Sequence, residues 1–149
     1  EVINEVSVRL FPHVVFRHRY QYTICYNSCM ETCIFCKIVK KEIPASIVYE
    51  DGNFLGFLSI DPMSPGHTLV IPKEHYRWVW DVPNAGEYFE VVKKIALAQK
   101  KAFNTEFVLS KIVGEEVHHA HIWIFPDNKV SGNKKDFELN KNLIINNLK

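Results

Sequence analysis

Val117-His118-His119-Ala120-His121-Ile122-Trp123-Ile124-Phe125-Pro126 decides how this chain is read. Alternate side chains of a strand share a face, so His119, His121, Trp123 and Phe125 line one side and Ala120, Ile122 and Ile124 the other. The second side is wholly apolar, which predicts a strand laid over a core with imidazoles on its far face. Neutral imidazole near pH 7 can be nucleophile, acid, base or metal ligand. A surface strand carrying histidines by chance is the competing reading. By the same alternation His118 points away from the site.

At 149 residues, 47% hydrophobic and 23% charged, the chain has the balance of one soluble domain with a real core. A net charge of +1 gives no general attraction to nucleic acid or to a membrane surface, so an anionic ligand must be caught locally. No apolar run approaches the roughly 20 residues that span a bilayer. Arg9, His13, Arg17, His18 and Arg19 interrupt the stretch a signal peptide would need, so a cytoplasmic location is expected. The cysteines at 25, 29, 33 and 36 crowd into the first quarter, whereas a disulfide framework spreads them through a small fold.

Residues 1–29 are expected to be an extension ahead of Met30 that carries no recognisable site, although they could fold as an added strand pair. From Cys33 to Lys41 the pattern predicts a short helix ending before Ile43-Pro44. Strands are expected at Ser46–Glu50, Phe54–Ile60 and His67–Ile71, with turns at Asp51-Gly52 and around Pro62, Pro65 and Gly66. One long helix should run from an Asn84 cap to about Phe103, its apolar stripe made by Tyr88, Val91, Val92, Ile95, Ala96, Leu97 and Ala98. Phe107–Val113 and His119–Phe125 read as an antiparallel pair joined at Gly114-Glu115-Glu116. After Pro126 the C-terminal tail, residues 127–149, begins polar and then carries a helix with Phe137, Leu139, Leu143, Ile144 and Leu148.

Two constellations carry chemistry. Cys33-Ile34-Phe35-Cys36 is half of a tetrahedral zinc site, because a Cys-x-x-Cys turn brings two thiolates to one metal. His67 and His119 supply the other half if their strands are neighbours. A reduced buried cysteine pair and a thiol redox pair are the alternatives. With His119 on the metal, His121 is the free imidazole, able to attack phosphorus if its near nitrogen is unprotonated and its far one hydrogen-bonded. Backbone N–H groups of Gly114 to Val117 are candidates to hold the phosphate oxygens, with the Glu115 and Glu116 carboxylates turned away or on ribose.

From Cys33 to Pro126 the chain resembles the histidine-triad (HIT) family of nucleotide-binding proteins. The resemblance lies in Cys-Ile-Phe-Cys-Lys-Ile at 33–38, Glu-Ile-Pro-Ala at 42–45, Tyr-Glu-Asp at 49–51, Pro-Gly-His-Thr-Leu-Val-Ile-Pro-Lys at 65–73 and His-Ala-His at 119–121. It implies an α+β fold over residues 30–126: an antiparallel sheet of about five strands, one long helix, a short N-terminal helix, and homodimer pairing across the long helix. It also implies a nucleotide hydrolase or transferase acting at the α-phosphorus through His121, with structural zinc on Cys33, Cys36, His67 and His119. The base pocket maps onto Phe35, Ile38, Phe57, Leu58 and Leu69. Ser59 stands where the family has an acidic ribose ligand, with Asp61 as its substitute, and Glu116, Val117 and Trp123 complete the nucleotide site. Trp123 replaces the third histidine. Its single N–H cannot exchange a proton with a leaving group.

These readings predict an enzyme acting on a nucleotide phosphoramidate, phosphosulfate or dinucleoside polyphosphate through a covalent nucleotidyl-histidine. No polymeric nucleic acid or membrane partner is expected. A non-catalytic, zinc-stabilised nucleotide-binding module is the alternative that Trp123 keeps open. A thiol oxidoreductase using Cys33 and Cys36 ranks below both.

Overall fold

The computed structural model describes residues 31–148, so the expected extension at 1–29 lies outside the described residues. In chain order the elements are α1 (Ile34–Val39), β1 (Ile47–Glu50), β2 (Phe54–Leu58), β3 (Thr68–Pro72), a 3₁₀ turn (Val79–Asp81), α2 (Ala85–Ala102), β4 (Val108–Val113), β5 (His121–Pro126) and α3 (Phe137–Asn146). The strands form one antiparallel sheet in the order β1-β2-β3-β5-β4. The expected α+β class, the five strands and the single long helix are all present.

Alternation along the strands builds two layers of core. Phe54, Val70, Ile122 and Ile124 pack with Tyr88, Val91, Val92 and Ile95 of α2. Leu55, Phe57, Leu69 and Ile71 point the other way and pack with Phe35 and Ile38 of α1. The central strands β2 and β3 are therefore buried along their whole length, which explains their continuous apolar runs. Leu97, counted in the apolar stripe of α2, is 49% exposed. It stands two residues beyond Ile95, about 200° round the helix, and so points away from the sheet.

Gln99 lies buried at the C-terminal end of α2, where its Nε2 donates to Gly66 O (2.8 Å), Thr68 Oγ1 (3.1 Å) and Ile124 O (3.2 Å). These bonds tie helix to sheet and satisfy the amide nitrogen of this buried side chain, while Oε1 has no partner among the described residues. Gly66 turns the chain into β3 at φ +78°, and a Cβ there would collide with the Phe103 ring. Only glycine suits both demands.

The C-terminal helix docks through Ile144, which is fully buried with Val48, Leu58 and Ala98. Asp136 caps it by accepting from Leu139 N–H at 3.1 Å. The 3₁₀ turn is an element that sequence periodicity did not indicate. His119, expected inside the last strand, stands just before β5, where its N–H donates to Val117 O (2.8 Å). Among the described residues no helix is long and apolar enough to cross a membrane.

Candidate functional site

His121 opens β5 and is almost wholly buried, with its ring against Phe35 (centroids 5.4 Å apart). Its Nδ1 lies 2.7 Å from His119 O. A carbonyl only accepts, so Nδ1 carries the proton and Nε2 keeps its lone pair. Burial lowers the proton affinity of this ring, partly offset by its bond to His119 O and the charge of Glu116. A neutral imidazole is thus fixed in the tautomer that a nucleophile needs.

The ring borders a cleft of about 710 Å³, within the size range of small-molecule sites. Phe35 and Ile38 of α1 with Phe57, Leu58 and Leu69 of the sheet form its apolar floor, and Ser59, Asp61, Glu116, Val117 and Trp123 stand around it. The structure thus brings every residue assigned from sequence to the nucleotide pocket onto one cleft. It also adds Ile43, Pro44, Ile60, and Phe137, Glu138 and Lys141 of α3. The α3 residues were missed because nothing local marks them; only the docking of Ile144 swings them over the cleft.

The loop from Gly114 to Val117 is held from behind. Arg77 donates to Gly114 O (2.6 Å) and stacks over the Trp78 ring (3.8 Å), and a Cβ on Gly114 would collide with that ring. Glu116 and Val117 line the cleft, whereas Glu115 and His118 do not.

Behind His121, Cys33, Cys36, His75 and His119 place one ligand atom each within 4.8 Å of one another. Cys36 Sγ lies 3.2 Å from His75 Nδ1, and both sulfurs lie 3.5 Å from His119 Nδ1. Tetrahedral zinc with Zn–S near 2.3 Å and Zn–N near 2.0–2.1 Å sets sulfur and nitrogen about 3.5 Å apart, so the donor set fits that ion. His119 Nε2 donates to Pro72 O (2.8 Å), which leaves Nδ1 free to ligate. Burial lowers His119 to about 4 and, with Cys33 beside it, pushes the Cys36 thiol up to about 12. A bound divalent cation reverses that cost by stabilising thiolate.

His67, assigned to this centre from sequence, is not part of it; His75 takes that place. The antiparallel pairing decides the matter. His119 precedes β5 and therefore lies by Pro72, at the far end of β3, about 17 Å along an extended strand from His67. Nothing local in the sequence separates His75 from His67; only the antiparallel pairing of β3 with β5 selects it.

His67 instead packs against Trp123 and Phe125, with centroids at 5.0 and 5.2 Å, and its Nδ1 accepts from Met63 N–H (3.2 Å). Burial lowers it from 6.5 to about 4, opposed by the charge of Asp61. Between those two values the unfolded chain binds a proton that the folded chain does not, so stability falls as pH drops through the window and is fully kept above it. The shift corresponds to about 3 kcal/mol. Urea unfolding from pH 7 to 4 should therefore show a shallower acid loss in His67→Gln than in the parent; parallel curves would contradict it.

The HIT domain profile matches residues 40–130. An uncharacterised HIT-like protein of Methanocaldococcus jannaschii is 39% identical over 117 residues, covering 74% of this chain and 91% of its own. The adenosine 5'-monophosphoramidase HNT1 of Saccharomyces cerevisiae is 37% identical over 97 residues, covering 63% of this chain and 61% of its own. A zinc-bound histidine triad family protein of Mycobacterium smegmatis superposes with a TM-score of 0.68 at 30% identity, over 80% of this chain and 94% of its own. In its sequence, its sheet order and the histidine strand at the centre of its cleft, this chain belongs to the HIT domain family.

Proposed function

We propose that this protein hydrolyses or transfers nucleotides at the α-phosphorus, through a covalent nucleotidyl intermediate on His121. One observation carries the reading: Nδ1 of His121 is engaged by His119 O, so Nε2 is the available lone pair on a ring that borders the cleft. The apolar floor of Phe35, Ile38, Phe57, Leu58 and Leu69 suits a nucleobase, with Ser59, Asp61 and Glu116 placed for ribose. The phosphoramidase activity named for the yeast relative supports the reaction class.

In the first step the Nε2 pair forms an N–P bond and the leaving group departs with the electrons of its own bond to phosphorus. Water then forms a P–O bond, the N–P pair returns to Nε2, and a proton passes to solvent. Zinc held by Cys33, Cys36, His75 and His119 would have four protein ligands and no open position, so its contribution is structural.

The test is incubation with diadenosine polyphosphate and adenosine phosphoramidate, scored by AMP release and by mass spectrometry for a nucleotidyl adduct. Nucleotide binding with neither AMP nor adduct would favour the non-catalytic binding module, which the lack of an exchangeable proton on Trp123 supports.

We also place the protein in the cytoplasm as a homodimer paired across α2. Phe89 and Leu97 of α2 and Ile112 of the edge strand β4 are exposed apolar side chains that a second copy would cover. Sedimentation should give twice the 17.4 kDa chain mass; a monomer at micromolar concentration would refute the pairing.

A further inference from the structure

We infer that the wall beside His121 selects leaving groups that depart as stable anions, so the preferred substrates are nucleotide anhydrides, with phosphate or sulfate on the α-phosphorus, over phosphoramidates. This deepens the proposed function and rests on it.

Trp123 is two residues beyond His121 on the same strand face, its ring centroid 6.4 Å away and its plane tilted by 29°. The residue is partly exposed, yet its Nε1 is buried and takes no acceptor among the described residues. What the indole shows to the outside is therefore hydrocarbon. Lys111 faces Trp123 in the β4–β5 register and holds its Nζ 5.4 Å from the indole centroid. An apolar surface with an ammonium over it favours an anion, and the indole itself supplies no acid.

Sheet order places this wall at the leaving-group end. The apolar floor lies over β2 and β3, His121 is on β5, and β4 is the outer strand. A nucleoside seated on that floor with its phosphorus at His121 directs its remaining substituent outward, over Trp123 and Lys111. When that substituent is phosphate or sulfate, the P–O bond breaks with its electron pair on oxygen and no proton is needed. An amine leaves only as nitrogen gains a proton, and indole N–H does not provide one. The ionisable groups lining the rest of the cleft include Asp61, Glu116, Glu138 and Lys141. Glu116, which lines the cleft, and the ammonium of Lys111 are the rival proton-transfer groups.

The experiment measures kcat/KM for a series of AMP conjugates whose leaving groups span phosphosulfate, polyphosphate, p-nitrophenolate and amine. In the parent, kcat/KM should fall steeply with leaving-group basicity, the phosphoramidate lying at least about 10²-fold below the anhydrides, the low end of what a positioned acid contributes. Trp123→His should raise phosphoramidate relative to anhydride turnover by about 10²-fold, while Trp123→Phe should keep the steep slope. Lys111→Gln should lower polyphosphate turnover about tenfold more than that of the p-nitrophenyl ester. Equal parent rates on amine and anhydride would overturn the inference, as would phosphoramidate turnover that is lost in Glu116→Gln. Should Trp123→His fail to fold, the parent slope decides alone. Absence of turnover and of adduct with every conjugate would sink the proposed function as well.

Discussion

His121→Gln should abolish turnover at the α-phosphorus, lowering it by about 10⁴-fold or more, and should leave no nucleotidyl adduct detectable by mass spectrometry. Glutamine retains a side-chain N–H for His119 O, the acceptor that now holds the imidazole at 2.7 Å, so the strand keeps its anchor while the nucleophile is gone. Nucleotide binding should persist, because the apolar floor on α1, β2 and β3 is untouched. Titration calorimetry with AMP therefore separates lost chemistry from lost fold. Turnover within tenfold of the parent would show that another group attacks phosphorus.

Loss of the metal should produce the second large effect. The four donors join α1, the segment after β3 and the approach to β5, so one ion would clamp α1 to two segments that are themselves joined there by the Ala120 N–H bond to Tyr76 O (2.6 Å). Cys36→Ser should reduce zinc from about one per chain to near zero by elemental analysis. Stability should fall by about 3–5 kcal/mol, or about 10–20 °C in Tm, less than in zinc fingers because this domain has its own core. A chelator should lower the Tm of the parent and leave that of Cys36→Ser unchanged, which separates metal loss from the burial of a hydroxyl. Activity should fall as well, since the carbonyl that sets the His121 tautomer belongs to His119, itself a donor of the cluster. A parent protein without metal and with the same Tm as the variant would remove zinc from the account.

Much of the fold was legible because its signals are local. Alternation in β5, helical spacing in α2 and the Asp51-Gly52 turn each act within a few residues, and the structure keeps each of them. In that turn Asp51 accepts from Asn53 N–H (2.8 Å) and Phe54 N–H (2.7 Å). The apolar floor of the cleft was legible through its resemblance to a known family, residue by residue. His75 was not, since its role depends on which end of β3 faces His119. Phe137, Glu138 and Lys141 were not either, because a helix far along the chain lines the cleft only once Ile144 is buried.

From the amino-acid order came the five-stranded α+β plan, the free imidazole of His121 and the Cys-x-x-Cys half of a metal centre, which follow from side-chain chemistry and from periodicities of two and 3.6 residues that need no partner to be read. The resemblance to the HIT family added Trp123 in the place of a third histidine. Tertiary structure alone chose His75 over His67, set the His121 tautomer through the His119 carbonyl, brought α3 over the cleft and laid Lys111 across the indole. Each of those depends on strand register and helix docking, where burial and antiparallel hydrogen bonding between distant segments decide which atoms meet.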